Sequence, residues 1–307
     1  MQDLYGKVAV ITGAGSGFGK EFAKEAHKRG MLLFLADIRG AAAENTAAEI
    51  RGAGGTAYSC EADVSLETGV NAMIDGAMAR FGRIDLLINN AGIMMGGSVL
   101  DLPGKDWEWT FQVNCMSQVY AMKRVIPIMK QQGTPAHIVN VASAAGLVPS
   151  HQMPAYTASK NFCVGLTESV CLELQESAKN IKLSVFCPGF VKTSLHKYEE
   201  SRPARFRDAA EGFYKSAAYR NIQKQAQENI GSGSDLNTIA PMLFDGIEKD
   251  QFYILPHKSY LVLIRNRLGN IINGRTPDIR LYHAANAYER GDRSPSVLKI
   301  LRDALRG

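Results

Sequence analysis

Tyr156 and Lys160 are the residues with which chemistry can begin. Side chains at this spacing lie one turn apart on one face of a helix. A free phenol has a pKa of about 10 and moves protons poorly at neutral pH. A neighbouring ammonium favours the phenolate, so such a pair can act as a general acid/base. The same spacing occurs on ordinary solvated helix faces, so the pair needs support from the rest of the chain.

A second group lies near the N-terminus. Gly13, Gly17 and Gly19 fall between an apolar, β-branched run at 8–11 and a helical pattern in which Phe18, Phe22, Ala23 and Ala26 share one side. Glycines there permit a tight turn, let backbone approach a pyrophosphate and let the helix pack closely on a sheet. The helix N-terminus then offers free N–H groups and partial positive charge to phosphate. Asp37 ends the next strand, where a carboxylate can accept from both ribose hydroxyls and would repel a 2′-phosphate. This favours NAD over NADP, although Arg39 could turn toward a 2′-phosphate. The turn lacks the Gly-Lys-Ser/Thr ending of an ATP-type loop.

These groups need a scaffold. Apolar runs suited to buried strands fall at 8–11, 31–36, 56–60, 84–88, 138–141, 181–186 and 252–255, and helical patterns at 41–50, 66–81, 107–130 and 153–177. Such alternation predicts an α/β fold: a doubly wound parallel sheet of about seven strands with helices on both faces. Between 191 and 235 the pattern loosens into a polar stretch just after a strand's C-terminal end, where open α/β sheets bind ligands. We read it as a mobile lid; a surface excursion without a role is the other reading.

Composition sets the class. The chain has 307 residues, 46% of them hydrophobic, and a net charge of +5. The charge is uneven: from Pro256 onward there are ten Lys/Arg against four Asp/Glu. No basic groove or nucleic-acid motif is evident, so no nucleic-acid partner is expected. No apolar run approaches the length of a membrane span, and the first residues do not resemble a signal peptide. Cys60, Cys115, Cys163, Cys171 and Cys187 form no C-x-x-C pair and read as reduced thiols of a cytoplasmic protein. No metal site is expected.

Taken in order, Thr12-Gly13-x-x-x-Gly17-x-Gly19, Asp63 after the third strand, Asn89-Asn90-Ala91-Gly92, Ser143, Tyr156-x-x-x-Lys160 and Pro188-Gly189 resemble the short-chain dehydrogenase/reductase family in its compact single-domain branch. The resemblance covers roughly 4–255. It implies a Rossmann-type catalytic domain over 1–256, a lid at 191–235, and a basic extension at 257–307 that it does not explain. It implies that Tyr156 exchanges a proton with the substrate oxygen as hydride moves to or from the nicotinamide. Lys160 would tune Tyr156 and bind the nicotinamide ribose, and Ser143 would hold the reacting oxygen. Asn114 would hold a water that relays protons from Lys160; a helix-bend residue bonded to nearby backbone is the alternative. Gly13, Ser16, Gly17, Phe18 and Gly19 would cradle the pyrophosphate. Asp63 and Val64 would lie at the adenine, and Asn90, Ala91 and Gly92 along the adenosine. Pro188, Gly189, Val191 and Thr193 would meet the nicotinamide end. A homodimer or homotetramer through the two long helices is implied as well.

The loops facing the nicotinamide offer Met94, Met95, Leu147, Val148, Met153 and Phe190, with few charges. That suits a secondary alcohol or ketone on a hydrophobic body, unless the methionines are only core filler. His151 is read as a surface-loop residue or a contact for polar substituents. In the tail, Leu261, Ile264, Leu268 and Ile271 recur at helical spacing. That helix can pack on its own subunit or a neighbour, complete the lid, or lie on an anionic membrane surface, the last being the least favoured. The expected activity is NAD(H)-dependent alcohol oxidation or ketone reduction. An NADPH-dependent ketoreductase and a nucleotide-binding sensor without turnover are the alternatives.

Overall fold

Alternation along strands buried on both faces sets the architecture. The computed structural model describes residues 1, 3–207 and 211–306. Strands Val8–Thr12 (β1), Leu32–Asp37 (β2), Ala57–Glu61 (β3), Leu86–Asn89 (β4), Ala136–Val141 (β5), Ile181–Phe186 (β6) and Tyr253–Ile254 (β7) form one parallel sheet in the order β3-β2-β1-β4-β5-β6-β7. The order reverses between β1 and β4, which opens a crevice at the strands' C-terminal ends. The helices are Gly17–Lys28 (α1), Gly40–Gly52 (α2), Glu67–Phe81 (α3), Gly104–Phe111 (α4), Ser117–Gln132 (α5), Pro154–Ser177 (α6), Glu211–Tyr214 (α7), Ala217–Gly231 (α8), Leu236–Glu248 (α9), Leu261–Ile272 (α10), Ile279–Glu289 (α11) and Pro295–Arg306 (α12).

Successive strand residues feed opposite cores. Ala9, Ile11, Leu33 and Leu35 pack with Phe22 of α1 and Phe244 of α9. Val10, Phe34, Leu87 and Ile138 pack with Met73 of α3, Met122 of α5 and Leu174 of α6. Both faces of the sheet are therefore covered, which is why its strands read as continuous apolar runs.

Three stretches differ in local structure or packing from their sequence patterns. The helix expected over 107–130 starts at Gly104 and is interrupted by a π-turn over Gln112–Met116. The stretch at 191–235 is largely ordered into 3₁₀ turns at Leu195–Ser201 and Ala204–Phe206 followed by α7 and α8; residues 208–210 lie outside the described residues. The apolar stripe of α10 does not pack as a stripe: Leu263 is buried, whereas Leu261, Leu268 and Ile271 are exposed.

All five cysteines are free thiols, and burial pushes Cys60 up to about 11 and Cys115 up to about 12, so neither is a nucleophile at neutral pH. No helix among the described residues is long and apolar enough to cross a membrane.

His137 on β5 gives the fold a pH dependence. It is fully buried; Ser184 donates to the Gln251 carbonyl, so it accepts from His137 Nε2, leaving Nδ1 without a partner. Burial lowers its pKa to about 3. The unfolded chain takes up this proton near the ordinary value of about 6.5. Stability is therefore complete above that pH and is lost progressively toward the folded value. Between pH 7 and pH 5 the loss is ~2 kcal/mol. Unfolding free energies from urea titrations at the two pH values will fall less in His137→Gln by that amount; equal falls in both proteins would contradict this.

Candidate active site

The glycine turn is shaped by sterics. Gly13 and Gly17 hold φ values of 65° and 53°, where an L side chain is strained. A Cβ on Gly19 would lie 2.1 Å from the Gly13 carbonyl oxygen, so Gly19 serves close packing of α1 and does not itself line the cavity. No acidic residue occupies the first turn of α1, which leaves its positive end open to an anion.

A cavity of about 500 Å³ runs from this turn along the ends of the strands. At one end lie Ser16, Phe18 and Asp37. Asp37 is nearly buried and accepts from Gly15 N at 2.9 Å and Arg39 N at 3.0 Å. Arg39 turns back, its Nε 3.6 Å from Asp37 and its guanidinium donating to Ser16 Oγ at 3.2 Å. Asp63 and Val64 form the adjoining wall, and the Asp63 carboxylate accepts from Ser65 and from Arg205. Asn90, Ala91 and Gly92 follow. The Asn90 amide donates to the carbonyls of Thr12 and Gly13, so it braces the glycine turn.

At the other end stand Ser143, Tyr156 and Lys160, with Pro188, Gly189, Val191 and Thr193 opposite. Lys160 Nζ lies 5.7 Å from the centre of the Tyr156 ring and donates to the Val141 carbonyl at 2.9 Å. Ser143 Oγ accepts from Ala145 N, which fixes its strand-end turn. Asn114 sits in the π-turn, fully buried and off the cavity. Its side chain exchanges hydrogen bonds with the Ile93 backbone and donates to Ser159 Oγ, and its carbonyl accepts from Gln118. Through these bonds Asn114 ties the Gly92–Ile93 loop to the helix that carries Tyr156.

On the apolar side, Met94, Met153 and Phe190 line the cavity as expected. Met95 and Leu147 do not. Met95 is fully buried in a cluster with Trp109, and Leu147 packs against Ala142 and Cys163. Of each adjacent pair, Met94 and Val148 face the cavity while Met95 and Leu147 turn to the core. His151 rests against Tyr282 and His283 of the extension.

Part of the cavity wall comes from the extension, a placement that the tail's helical pattern left open without naming its residues. Tyr260, Leu263, Tyr282 and Asn286 of the extension reach the cavity. His257 Nδ1 accepts from Gly189 N at 3.0 Å, and its Nε2 contacts Ser234 Oγ at 3.1 Å. A Cβ on Gly189 would lie 2.5 Å from the Tyr260 ring, so a side chain there would displace the ring from this turn. The one cue in the sequence was the helical periodicity of the tail.

The segment from Leu195 to Phe206 is fastened by buried charge. Arg202 donates to Asp106 of α4 and to Glu199, and stacks over Trp109 at 4.4 Å. Burial works against the Arg202 charge, yet Glu199 and Asp106 outweigh it and hold the guanidinium protonated. Burial lifts the Asp106 carboxyl, offset in part by hydrogen bonds from Tyr214 and Arg202. Arg202→Met will cost about 3–5 kcal/mol, because it leaves the buried Asp106 carboxylate with no cation beside it. Urea unfolding measures this, and a loss within error of zero would contradict the anchoring role.

Comparison with known proteins agrees with this geometry. Residues 7–204 match the family model described as short chain dehydrogenase. The chain is 46% identical over 281 residues to the CLA biosynthesis dehydrogenase/reductase of Lactiplantibacillus plantarum, covering 92% of this chain and 98% of that protein. It is 36% identical over 208 residues to the D-beta-hydroxybutyrate dehydrogenase of Rhizobium meliloti (strain 1021), covering 67% and 79%. A short chain dehydrogenase/reductase from Burkholderia phymatum, solved in complex with NAD, superposes with a TM-score of 0.88 at 38% identity over 91% of this chain and 98% of that one. With the glycine turn, the Tyr156–Lys160 pair and Ser143 brought to one cavity, the chain belongs to the short-chain dehydrogenase/reductase family of oxidoreductases.

Proposed function

We propose that this protein is an NAD(H)-dependent oxidoreductase interconverting a secondary alcohol and a ketone on a largely hydrophobic substrate, with Tyr156 as general acid/base. One observation carries the reading. Tyr156 stands in the cavity wall with the Lys160 ammonium beside it and an apolar cluster of Met94, Met153, Phe190 and Ile230 against it.

The residues fit a dinucleotide. The positive-φ glycines and the acid-free helix end suit its pyrophosphate, and the Asp37 carboxylate suits an unphosphorylated ribose. Bound NAD would supply the hydride acceptor. Tyr156 Oη would take the hydroxyl proton during oxidation and return it during reduction. Ser143 Oγ would hold the same oxygen and stabilise charge developing there. Lys160, fixed by the Val141 carbonyl, would keep its positive charge beside the phenol. Oxidation releases a proton, so higher pH favours oxidation and lower pH reduction.

The family resemblance and the named relatives support this chemistry; D-beta-hydroxybutyrate, from which one relative takes its name, is a secondary alcohol. We take 1–256 as the catalytic domain and the extension as the wall that limits substrate size. Assembly as a homodimer or homotetramer through α5 and α6 is consistent with Phe162 and Leu172 lying exposed on α6. NADP(H) is the alternative cofactor, favoured by Arg39 alone. A panel of secondary alcohols and ketones, each with NAD(H) and NADP(H), tests the proposal at the NADH absorbance band. Turnover of apolar members with NAD(H) is expected, and no turnover of any member with either cofactor would overturn it.

A further inference from the structure

We infer that the outward face of α10 is a docking surface for an anionic lipid membrane. With about 3.6 residues per turn, Leu261, Arg265, Leu268 and Ile272 fall along one stripe, and Ile271 on its flank. That stripe points away from the protein: Leu268 is 52% exposed, Ile271 62% and Ile272 81%. On the opposite side Leu263 is buried with Val148, Leu281 and Leu301. The half-buried Arg267 turns toward the protein, bonding Asn161, and the half-buried Asn270 bonds Asn266 on its own helix. A surface helix ordinarily turns polar residues outward, whereas α10 leaves Leu268, Ile271 and Ile272 exposed there. Exposed apolar surface of this kind marks an interaction site.

Charge selects the occupant. Arg265 stands exposed within the stripe without a hydrogen-bond or ion-pair partner among the described residues, and α10 carries no Asp or Glu. Exposed Lys258 precedes the helix, and exposed Arg302 lies across from it on α12. A two-fold contact with a second copy through this stripe would bring Arg265 toward its own counterpart with no acid on the helix to answer it. Anionic headgroups answer both arginines and lysine, while leucine and isoleucine enter the acyl boundary. A groove of about 480 Å³ among α10, α11 and α12, walled by Leu261, Val262, Leu298 and Leu301 and bordered by Lys258 and Arg302, matches one acyl chain with an anionic head. Leu263 on the other side of α10 walls the active-site cavity, so docking would bring that cavity close to the lipid. The lipid contact does not depend on which alcohol the enzyme uses.

The test is co-sedimentation of the full chain with vesicles of phosphatidylcholine mixed with phosphatidylglycerol, against phosphatidylcholine alone, at low and high salt. The wild type should pellet with the anionic vesicles at low salt. Binding should weaken at least about fivefold when the anionic lipid is omitted, and about fivefold in Arg265→Gln. The double variant Leu268→Ser/Ile272→Ser should stay in the supernatant, with its thermal midpoint and its sedimentation coefficient in the absence of lipid unchanged. Equal recovery of the wild type in the supernatant with both vesicle types would overturn the inference. So would a lower sedimentation coefficient in the double variant, which would assign the face to a second copy of the chain.

Discussion

With Tyr156→Phe, turnover falls about 10²- to 10⁴-fold while NAD still binds. The substitution keeps the ring that packs against Met94, Ala145 and Ile230 and removes only the hydroxyl. The cradle at Gly13, Ser16 and Asp37 lies at the other end of the cavity and is untouched. The measurement is kcat on the best substrate of the panel beside a fluorescence titration with NADH. A variant that turns over at nearly the wild-type rate would remove Tyr156 from the chemistry.

Asp37→Ser moves cofactor preference toward NADP. The carboxylate is placed by two backbone donors, Gly15 N and Arg39 N, so its negative charge is fixed where a ribose would sit. A hydrogen bond to a charged group contributes about 1.5–3 kcal/mol, so the NAD-to-NADP ratio of kcat/KM should drop about 10- to 100-fold. The substitution also releases Arg39, now 3.6 Å from the carboxylate, to meet a 2′-phosphate. The ratio cancels any general loosening of the turn, since both cofactors share it. An unchanged ratio would refute the role of Asp37.

The sheet was legible because its strands are buried on both faces, so Val8–Thr12 and Ile181–Phe186 stand out as apolar runs between turns. The cofactor end was legible for a related reason: glycine, a strand-end acid and a helix start constrain one another locally. What failed to show were placements decided by distant contacts. Nothing near Arg202 in sequence announces that it will bury itself against Asp106 and turn a polar stretch into an anchored cover. Met94 and Met95 look alike in sequence, and only the local backbone decides which one meets the cavity. The bonds of Asn114 to Ile93 and Ser159 depend on a π-turn that periodicity does not reveal. The tail offered a helical stripe, and its outward orientation follows from Leu263 docking under Val148.

The most direct measurement is a crystal structure of the protein soaked with NAD and a non-reacting ketone or alcohol analogue. The account predicts the analogue's oxygen within hydrogen-bonding reach of both Tyr156 Oη and Ser143 Oγ, with the nicotinamide ring stacked beside them. A nicotinamide bound away from Tyr156, or an analogue oxygen held by other groups, would contradict it.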